Sequence, residues 1–349
     1  MIKNSESILQ KIDRIQKELD EIKSWIKNYI HEPGTINIQT ITDSTSSIEQ
    51  SIELTGSNEN TIVATSDLHI ETQNLNIPIP IKKAFIVGIN LYDPSLNCNL
   101  RGCVNDALAI KNLITELYGF SKENIEVATD YNARKQNILD GLEWLISGSV
   151  PGDELLFSFS GHGSQVPDYN GDEIDKFDEI ICPTDLNWDD PITDDILASY
   201  FKRVPKGANL TFICDSCNSG TVQRAMANKN FYGRVVRSIE HVTLNSLYKG
   251  QRIKSSRKIG VKTFVSQPDQ NHILFAGCSE NDYSNEGTFN GKFHGALTFN
   301  LCETLKENPK RTWREIEQAV TRRIKQVWGY NQTPQLVTKK ENIKKIIFS

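Results

Sequence analysis

The sequence contains no long hydrophobic run: no window of about 18 apolar residues, the length that crosses a bilayer, occurs in its 349 residues. Its first segment, MIKNSESILQKIDRIQKELDEIK, is charged throughout, unlike the apolar centre of a secretion signal. We therefore expect neither a membrane span nor a signal peptide. A cytoplasmic location follows as the expectation.

Regularly spaced cysteines are also missing. The seven cysteines are an odd number scattered along the chain, and the paired CxxC and histidine patterns of zinc sites do not occur. This usage indicates a reducing compartment rather than a disulfide framework. Long basic runs are absent as well, and the net charge is -5. The composition thus favours protein partners over nucleic acid or a membrane.

Lysine and arginine are missing between Lys27 and Lys82, in a stretch rich in Ser, Thr and Asn. We interpret residues 33–80 as a polar linker or a small, weakly structured region. Before it, apolar residues with alternating spacings of 4 and 3 predict a helix in residues 1–32. This helix either docks on its own domain or mediates self-association or adaptor binding through residues 8–30. The apolar positions are Ile8, Ile12, Ile15, Leu19, Ile22 and Ile26.

Residues 81–349 show strands alternating with helices, which predicts an α/β domain with a mostly parallel sheet flanked by helices. In such sheets functional residues collect at the carboxyl ends of the strands. The predicted strands cover 84–90, 124–129, 153–160 and 208–214, and the predicted helices cover 104–119, 135–146 and a segment that begins at Thr193.

Two predicted strands end on the residues that a thiol hydrolase needs. The strand FSFS continues into Gly161-His162-Gly163, and the strand TFIC continues into Asp215-Ser216-Cys217. An imidazole can take the proton of a thiol, and the thiolate can attack a carbonyl carbon. The amides of Gly163 and Cys217 are candidate donors to the developing oxyanion. A lone histidine or cysteine is more often structural, but the pair at two strand ends favours catalysis.

The segments FSFSGHGSQ and FICDSCNSGT resemble the histidine and cysteine blocks of the metacaspases, which are caspase-like cysteine peptidases. GINLYDPSLNCNLRGCVNDA resembles their first strand and loop, GDEIDKFDEIICPTD their acidic block, and NQTPQL their closing segment. The resemblance covers roughly residues 82–349. It implies a caspase-like sandwich with His162 as general base and Cys217 as nucleophile, and with no cofactor required for the chemistry.

The resemblance also implies cleavage after lysine or arginine. Asp106 and Asp215 match the acidic residues of the family's primary specificity pocket, with Cys103 and Ser160 alongside. Two carboxylates in a partly dry pocket favour a guanidinium or ammonium group and reject a carboxylate. Taken alone, Asp106 is more typical of a helix cap and Asp215 of a turn.

Between Gly163 and Asp195 the sequence carries eleven Asp or Glu and one Lys, a concentration of charge that repels itself unless a cation or a basic segment neutralises it. Calcium is the natural candidate, and the resemblance implies Asp178, Asp194 and Asp195 as its ligands. Arg224 holds the position of the family's fourth aspartate. Its guanidinium is the alternative to calcium. A second departure from the family is Asn218, where a histidine usually follows the nucleophile.

Residues 224–262 carry ten Lys or Arg and one Glu, so the segment is either a solvated insertion or a site of self-cleavage. The sequence thus predicts a cysteine endopeptidase regulated by self-processing or clustering, as suits a stress or defence response. Two alternatives stay open: a catalytically silent scaffold of the same fold, and a caspase-like enzyme that cleaves after acidic residues. His294, which precedes a predicted helix, is interpreted as a cap or loop residue.

Overall fold

The computed structural model describes residues 80–167, 177–216, 235–239, 272–278 and 283–349. The chain divides into two units, residues 1–79 and 80–349, and the described residues all belong to the second. The helix predicted in residues 1–32 and nearly all of the linker predicted at 33–80 lie outside the described residues. So do Cys217, Asn218, Arg224 and most of the basic segment 224–262.

Twelve strands and five α-helices make up the described regular structure. The strands are β1 (Lys82–Gly88), β2 (Ile125–Thr129), β3 (Glu154–Ser160), β4 (Gly163–Pro167), β5 (Phe177–Ile181), β6 (Ile192–Thr193), β7 (Asn209–Asp215), β8 (Val235–Val236), β9 (His272–Ala276), β10 (Asn285–Phe289), β11 (Lys292–Gly295) and β12 (Gln335–Val337). The helices are α1 (Cys103–Tyr118), α2 (Lys135–Ile146), α3 (Asp194–Phe201), α4 (Ala296–Glu307) and α5 (Trp313–Arg322), and a π-helical turn, Arg323–Val327, continues α5.

A six-stranded sheet forms the centre of the domain, in the order β12-β9-β7-β3-β1-β2. All neighbouring strands are parallel except β12, which pairs antiparallel with β9. Two three-stranded sheets, β4-β5-β6 and β11-β10-β8, lie outside it. The predicted α/β architecture with a mostly parallel central sheet is therefore confirmed.

The alternation of side chains along β1 shows how the sheet separates two cores. Phe85 and Val87 lie in a cluster with buried residues of α2 and α3, whereas Ala84 and Ile86 lie in a second cluster with residues of α1, α4 and α5. Successive side chains of a strand point to opposite faces, so each strand serves both cores. Helices consequently cover both faces of the sheet, as in a sandwich.

Local sequence signals explain where several helices begin and end. Helix α1 stops at Gly119, which adopts the left-handed conformation with φ of 69° that glycine tolerates best. Thr193 caps α3 by accepting a hydrogen bond from the Ile196 amide, and Thr312 with Glu315 forms a capping box on α5. The helix predicted at 135–146 is observed over the same residues.

The register of the parallel strands brings the functional segments to one edge. Ser160, the last residue of β3, lies opposite Gly88 of β1 on one side and opposite Asp215 of β7 on the other. All three strands therefore end together. The segment that contains His162 and the segment that precedes Cys217 leave the sheet side by side.

At the opposite end of β3, the buried carboxyl of Glu154 makes stability depend on pH. Burial raises its pKa from 4.5 to about 7, although Asn209 donates a hydrogen bond of 2.6 Å to it. A raised folded-state pKa favours the protonated form, so the stability that this group contributes is fully present below pH 4.5 and is lost as the pH rises to about 7.

We predict that Glu154→Gln, which mimics the protonated carboxyl, raises the free energy of unfolding at pH 8 by about 1–3 kcal/mol and changes it little at pH 4. Urea unfolding of both proteins at the two pH values measures the difference. Glu126→Gln on β2 is the matched control, because Glu126 is exposed and should give no pH-dependent gain. An equal gain at both pH values would contradict the assignment.

Candidate active site

His162 is buried directly after β3, and two contacts fix its ring and backbone. Its Nε2 lies 2.6 Å from the carbonyl oxygen of Cys98, and its backbone N–H donates to the Tyr92 hydroxyl at 2.8 Å. The rings of Tyr92 and His162 also pack with their centroids 4.8 Å apart. Because a carbonyl oxygen only accepts, Nε2 must carry the proton in the neutral ring. Nδ1 then keeps its lone pair.

The His162 imidazole is in its neutral form, which has a lone pair able to accept a proton. Burial lowers its pKa to about 4, so the ring is neutral at physiological pH. Its Nδ1 is buried and has no hydrogen-bond partner among the described residues. An unsatisfied buried nitrogen of this kind calls for an explanation, and a base facing a nucleophile supplies one.

The described chain reaches the residue before the predicted nucleophile. Strand β7 ends at Asp215, Ser216 is buried, and Cys217 itself lies outside the described residues. The oxyanion donor predicted at the Cys217 amide lies outside them for the same reason. The other predicted donor, the Gly163 amide, is described: it donates to the carbonyl oxygen of Arg237 at 3.2 Å.

The four residues predicted to line the specificity pocket come together, and a guanidinium lies between them. The Arg237 side chain, fully buried, places Nη2 2.7 Å from Asp106 Oδ2 and Nη1 3.4 Å from Asp215 Oδ2. Nη1 also donates to the Ser160 hydroxyl at 2.6 Å. The Cys103 thiol is buried beside them, where it interacts with the Ser160 hydroxyl and with the charge of the guanidinium.

Asp106 is held ionised by its neighbours despite its burial. Burial acts to raise its pKa, but the Arg237 guanidinium and the hydrogen bond with His294 outweigh burial and leave the pKa below its usual value. His294 Nδ1 lies 2.9 Å from Asp106 Oδ1, and the Gly295 amide donates to the same carboxylate. The interpretation of His294 as a cap or loop residue is therefore wrong: it lies on β11 and pairs with Asp106.

Asp215 is fixed by donors from Thr298, at the start of α4, and from Ser284, directly before β10. Its Oδ2 accepts hydrogen bonds from the amide and hydroxyl of Thr298 at 2.9 and 2.8 Å, and its Oδ1 accepts from the Ser284 hydroxyl at 2.5 Å. A side chain at Gly295 would collide with Asp215 and with the Arg237 guanidinium, so this position requires glycine. The helix cap proposed as the alternative for Asp106 is not observed, because the N-cap position of α1 is Gly102.

A third buried carboxylate, Glu286, belongs to the same cluster and was not expected from the sequence. It accepts hydrogen bonds from the amides of Arg101 and Gly102, and one of its oxygens lies 3.6 Å from Arg237 Nη2. Three carboxylates thus surround one guanidinium. No sequence pattern pointed to Glu286, because its hydrogen-bond donors are backbone amides of the distant loop before α1.

The acidic residues assigned to calcium are electrostatic neighbours. Burial, followed by the charges of Asp195 and Asp178, raises the pKa of Asp194 to about 7. One oxygen of Asp194 is buried without a hydrogen-bond partner among the described residues. Carboxylate oxygens of this kind suit calcium. The described part of the chain holds no group of three or more potential ligands arranged to bind a metal by itself.

Tyr92 is a positioning residue that sequence reasoning missed. On the peptidase activity that the resemblance implies, we predict that Tyr92→Phe lowers kcat for a peptide substrate about tenfold and leaves KM within about twofold, because the His162 amide loses its buried acceptor and the ring can shift. Tyr118→Phe is the matched control, since its hydroxyl donates to the Pro309 carbonyl in another part of the domain. A change in KM alone would show that Tyr92 does not orient the base.

Comparisons with known proteins agree with the resemblance seen in the sequence. Residues 82–225 match the family described as metacaspase, peptidase C14 domain. Metacaspase-1 of Candida glabrata is 30% identical over 289 residues, which are 73% of this chain and 72% of that protein. Metacaspase-1 of Schizosaccharomyces pombe is 30% identical over 288 residues, 73% of this chain and 66% of that protein. The chain thus spans just under two thirds of the latter.

A solved structure gives the same answer for the fold. The crystal structure of a Geobacter sulfurreducens protein superposes with a TM-score of 0.57, covering 77% of this chain and 99% of that one. The two sequences are 24% identical, so this likeness concerns the fold alone. In the described residues, no helix combines the length and the apolar character needed to span a bilayer.

Proposed function

This chain belongs to the metacaspase family, and we propose that it is a cysteine endopeptidase that cleaves proteins after arginine or lysine. One observation carries the proposal: a guanidinium lies between the buried carboxylates of Asp106 and Asp215, beside a buried, neutral His162. A pocket with this chemistry selects a basic side chain. The backbone carbonyl of that basic residue would then lie near the strand ends that carry His162 and precede Cys217.

The proposed reaction uses His162 and Cys217 as a dyad. The Nδ1 lone pair of His162 takes the proton of the Cys217 thiol, and the thiolate attacks the backbone carbonyl carbon of the basic residue. The Gly163 amide, with that of Cys217, stabilises the oxyanion. His162 then returns the proton to the leaving amine, and water hydrolyses the thioester. No cofactor is required for these steps.

The two rival functions make different demands on the same residues. A silent scaffold has no use for a buried imidazole whose Nδ1 lacks a partner among the described residues, so the state of His162 favours an enzyme. An enzyme that cleaves after aspartate would need a cationic pocket. The three carboxylates of Asp106, Asp215 and Glu286 would repel such a substrate.

The remaining parts of the proposal concern regulation. We propose that the enzyme acts in the cytoplasm in a stress or defence response, and that it is switched by self-processing within residues 224–262 or by clustering through residues 8–30. The absence of Lys and Arg from residues 28–81 means that a cut after a basic residue cannot detach the amino-terminal segment there.

Calcium is proposed to bind the carboxylates of Asp178, Asp194 and Asp195, with further oxygen ligands supplied by the chain. Bound there, calcium would neutralise the mutual repulsion of these carboxylates. If Arg224 provides that neutralisation instead, calcium has no role. The distinction can be measured without any activity assay.

The specificity proposal predicts that an Arg-ended fluorogenic peptide is cleaved roughly a hundredfold faster than its Asp-ended twin, and that Cys217→Ala abolishes cleavage. We expect Asp106→Asn to lower kcat/KM for the Arg peptide about a hundredfold, because a charge-assisted pair is lost. Asp140→Asn, on the exposed side of α2, is the matched control and should change nothing. Faster cleavage of the Asp peptide would establish the acidic-specificity alternative.

For calcium, we predict that millimolar Ca²⁺ raises the midpoint of thermal unfolding by several degrees, as expected for a ligand that binds only the folded state. Asp194→Asn should remove this rise, and Asp189→Asn, at an exposed position, should retain it. If the wild type shows no rise but Arg224→Gln gains one, the arginine has taken the place of the metal. Differential scanning fluorimetry in EGTA and in Ca²⁺ measures both outcomes.

A further inference from the structure

The charges of the chain are unevenly distributed, and one stretch of the sequence is strongly basic. Residues 306–349 carry eleven Lys or Arg and four Glu, although the whole chain has a net charge of -5. Helix α5 and the π-helical turn that continues it lie within this stretch. A surface formed by these residues is therefore positive, while the rest of the chain is negative.

The start of α5 and residues 344–347 lie side by side. The Trp313 amide donates to the Lys345 carbonyl at 3.1 Å, and the Ile347 amide donates to the Arg311 carbonyl at 3.4 Å. The neighbours of these residues along the chain are also basic. We call the resulting surface the basic patch, which comprises Lys310, Arg311, Arg314, Lys344 and Lys345.

Lys82, the first residue of β1, connects the basic patch to the central sheet. Lys82 is opposite Glu154 in register, and the charges of Lys82 and Lys345 both act on the Glu154 carboxyl. Lys82 Nζ also donates to the Phe348 carbonyl at 2.7 Å. The patch thus lies at the amino ends of the parallel strands, whereas His162 follows the carboxyl end of β3. Because β3 is seven residues long, its two ends are about 20 Å apart.

Ion pairs leave most of the basic patch uncompensated. Arg311 lies 3.6 Å from the Glu307 carboxylate, and Glu315 on α5 is held by the capping box of that helix. Four exposed cations of the patch have no carboxylate oxygen within ion-pair distance in the part of the chain that the structure describes, and these are Lys310, Arg314, Lys344 and Lys345. Their charge is available to a partner.

Two exposed aliphatic side chains accompany the cations. Ile346 directly follows Lys345, and Ile81 directly precedes Lys82. Each isoleucine is 39% exposed, although most large apolar residues of the described chain are buried. The surface therefore offers a partner apolar contacts next to several positive charges.

The charge of the whole chain limits the class of partner. Salt screens exposed charges beyond about 8 Å at physiological ionic strength, so the patch attracts an anion only at short range. The extended charge of a nucleic acid or an anionic membrane would also meet the negative remainder of the chain. A short acidic segment of a protein contacts the patch alone, and aliphatic side chains between its carboxylates would cover Ile81 and Ile346.

We propose that the basic patch, together with Ile81 and Ile346, docks an acidic, aliphatic-containing segment of a partner protein. A partner bound there leaves the carboxyl edge of the sheet accessible, because the patch lies at the amino ends of the strands. The surface thus fits a protein that recruits this domain while its candidate active site stays open. The inference does not depend on the proposed peptidase activity.

Binding of a fluorescein-labelled peptide of about four Glu-Glu-Leu repeats to the full chain, measured by fluorescence anisotropy, tests the proposal. We expect saturable binding that weakens at least about fivefold when NaCl rises from about 50 to about 200 mM. Lys310→Glu combined with Lys344→Glu should weaken binding at least about tenfold, because each reversal turns an attraction into a repulsion. Lys202→Glu combined with Lys206→Glu is the matched control, since it makes the same change in net charge at two exposed positions after α3.

The control variant should bind the peptide within about twofold of the wild type, because its charges are distant from the patch. An equal loss of binding in both double variants would show that net charge alone attracts the peptide, and would overturn the proposal. Absence of saturable binding to the wild type would overturn it as well. Circular dichroism checks that the variants are folded.

The apolar contribution is tested with Ile346→Ser. This substitution should weaken binding of the Glu-Glu-Leu peptide about threefold and leave binding of a peptide with serine in place of leucine unchanged, because only the first has apolar side chains to bury. An equal effect on the two peptides would contradict the apolar contact. Ile81→Ser replaces this variant if Ile346→Ser does not fold.

Three other occupants give different results in the same buffers. Tighter binding to vesicles that contain phosphatidylserine, or to a single-stranded oligonucleotide, than to the peptide would assign the patch to a membrane or a nucleic acid. Self-association that light scattering detects in the wild type, and that Lys310→Glu with Lys344→Glu abolishes, would assign it to a second copy of this chain. Each of these results would overturn the proposal, and none requires peptide cleavage.

Discussion

The described site depends on one buried guanidinium held by carboxylates. Removing either the guanidinium or a carboxylate from such a cluster leaves an uncompensated charge away from water. This costs far more free energy than the loss of an exposed ion pair. Arg237 and Asp106, 2.7 Å apart, are respectively 0% and 1% exposed as side chains. Their pairing joins α1 to residues 235–239. It therefore determines both what the pocket contains and how the surrounding loops are positioned.

The parallel sheet supplies the rigid frame for this cluster. Gly88, Ser160 and Asp215 are opposite one another in register, so three strands deliver their chemistry to one edge. The Ser160 hydroxyl, placed on the central strand, donates to Asp106 and accepts from Arg237. A shift of one residue in any strand would turn these side chains to the opposite face, so the register is part of the site.

The frame and half of the site could be predicted from the sequence, since both rest on local patterns. Apolar runs predicted the strands, and their ends pointed to His162, whereas the pocket residues Asp106 and Asp215 came from the resemblance to the metacaspases. The other half comes from long-range pairing. Tyr92 lies 70 residues before His162, and Arg237 lies 131 residues after Asp106. Nothing in the basic segment distinguishes Arg237 from the other cations beside it.

The basic specificity proposed for this pocket and the position of Arg237 within it have the same physical origin. Three buried carboxylates with the charge needed to bind a basic side chain also repel one another, and without a cation between them this repulsion is poorly screened in a dry pocket. A folding chain that carries ten cations within residues 224–262 satisfies that pocket with one of its own.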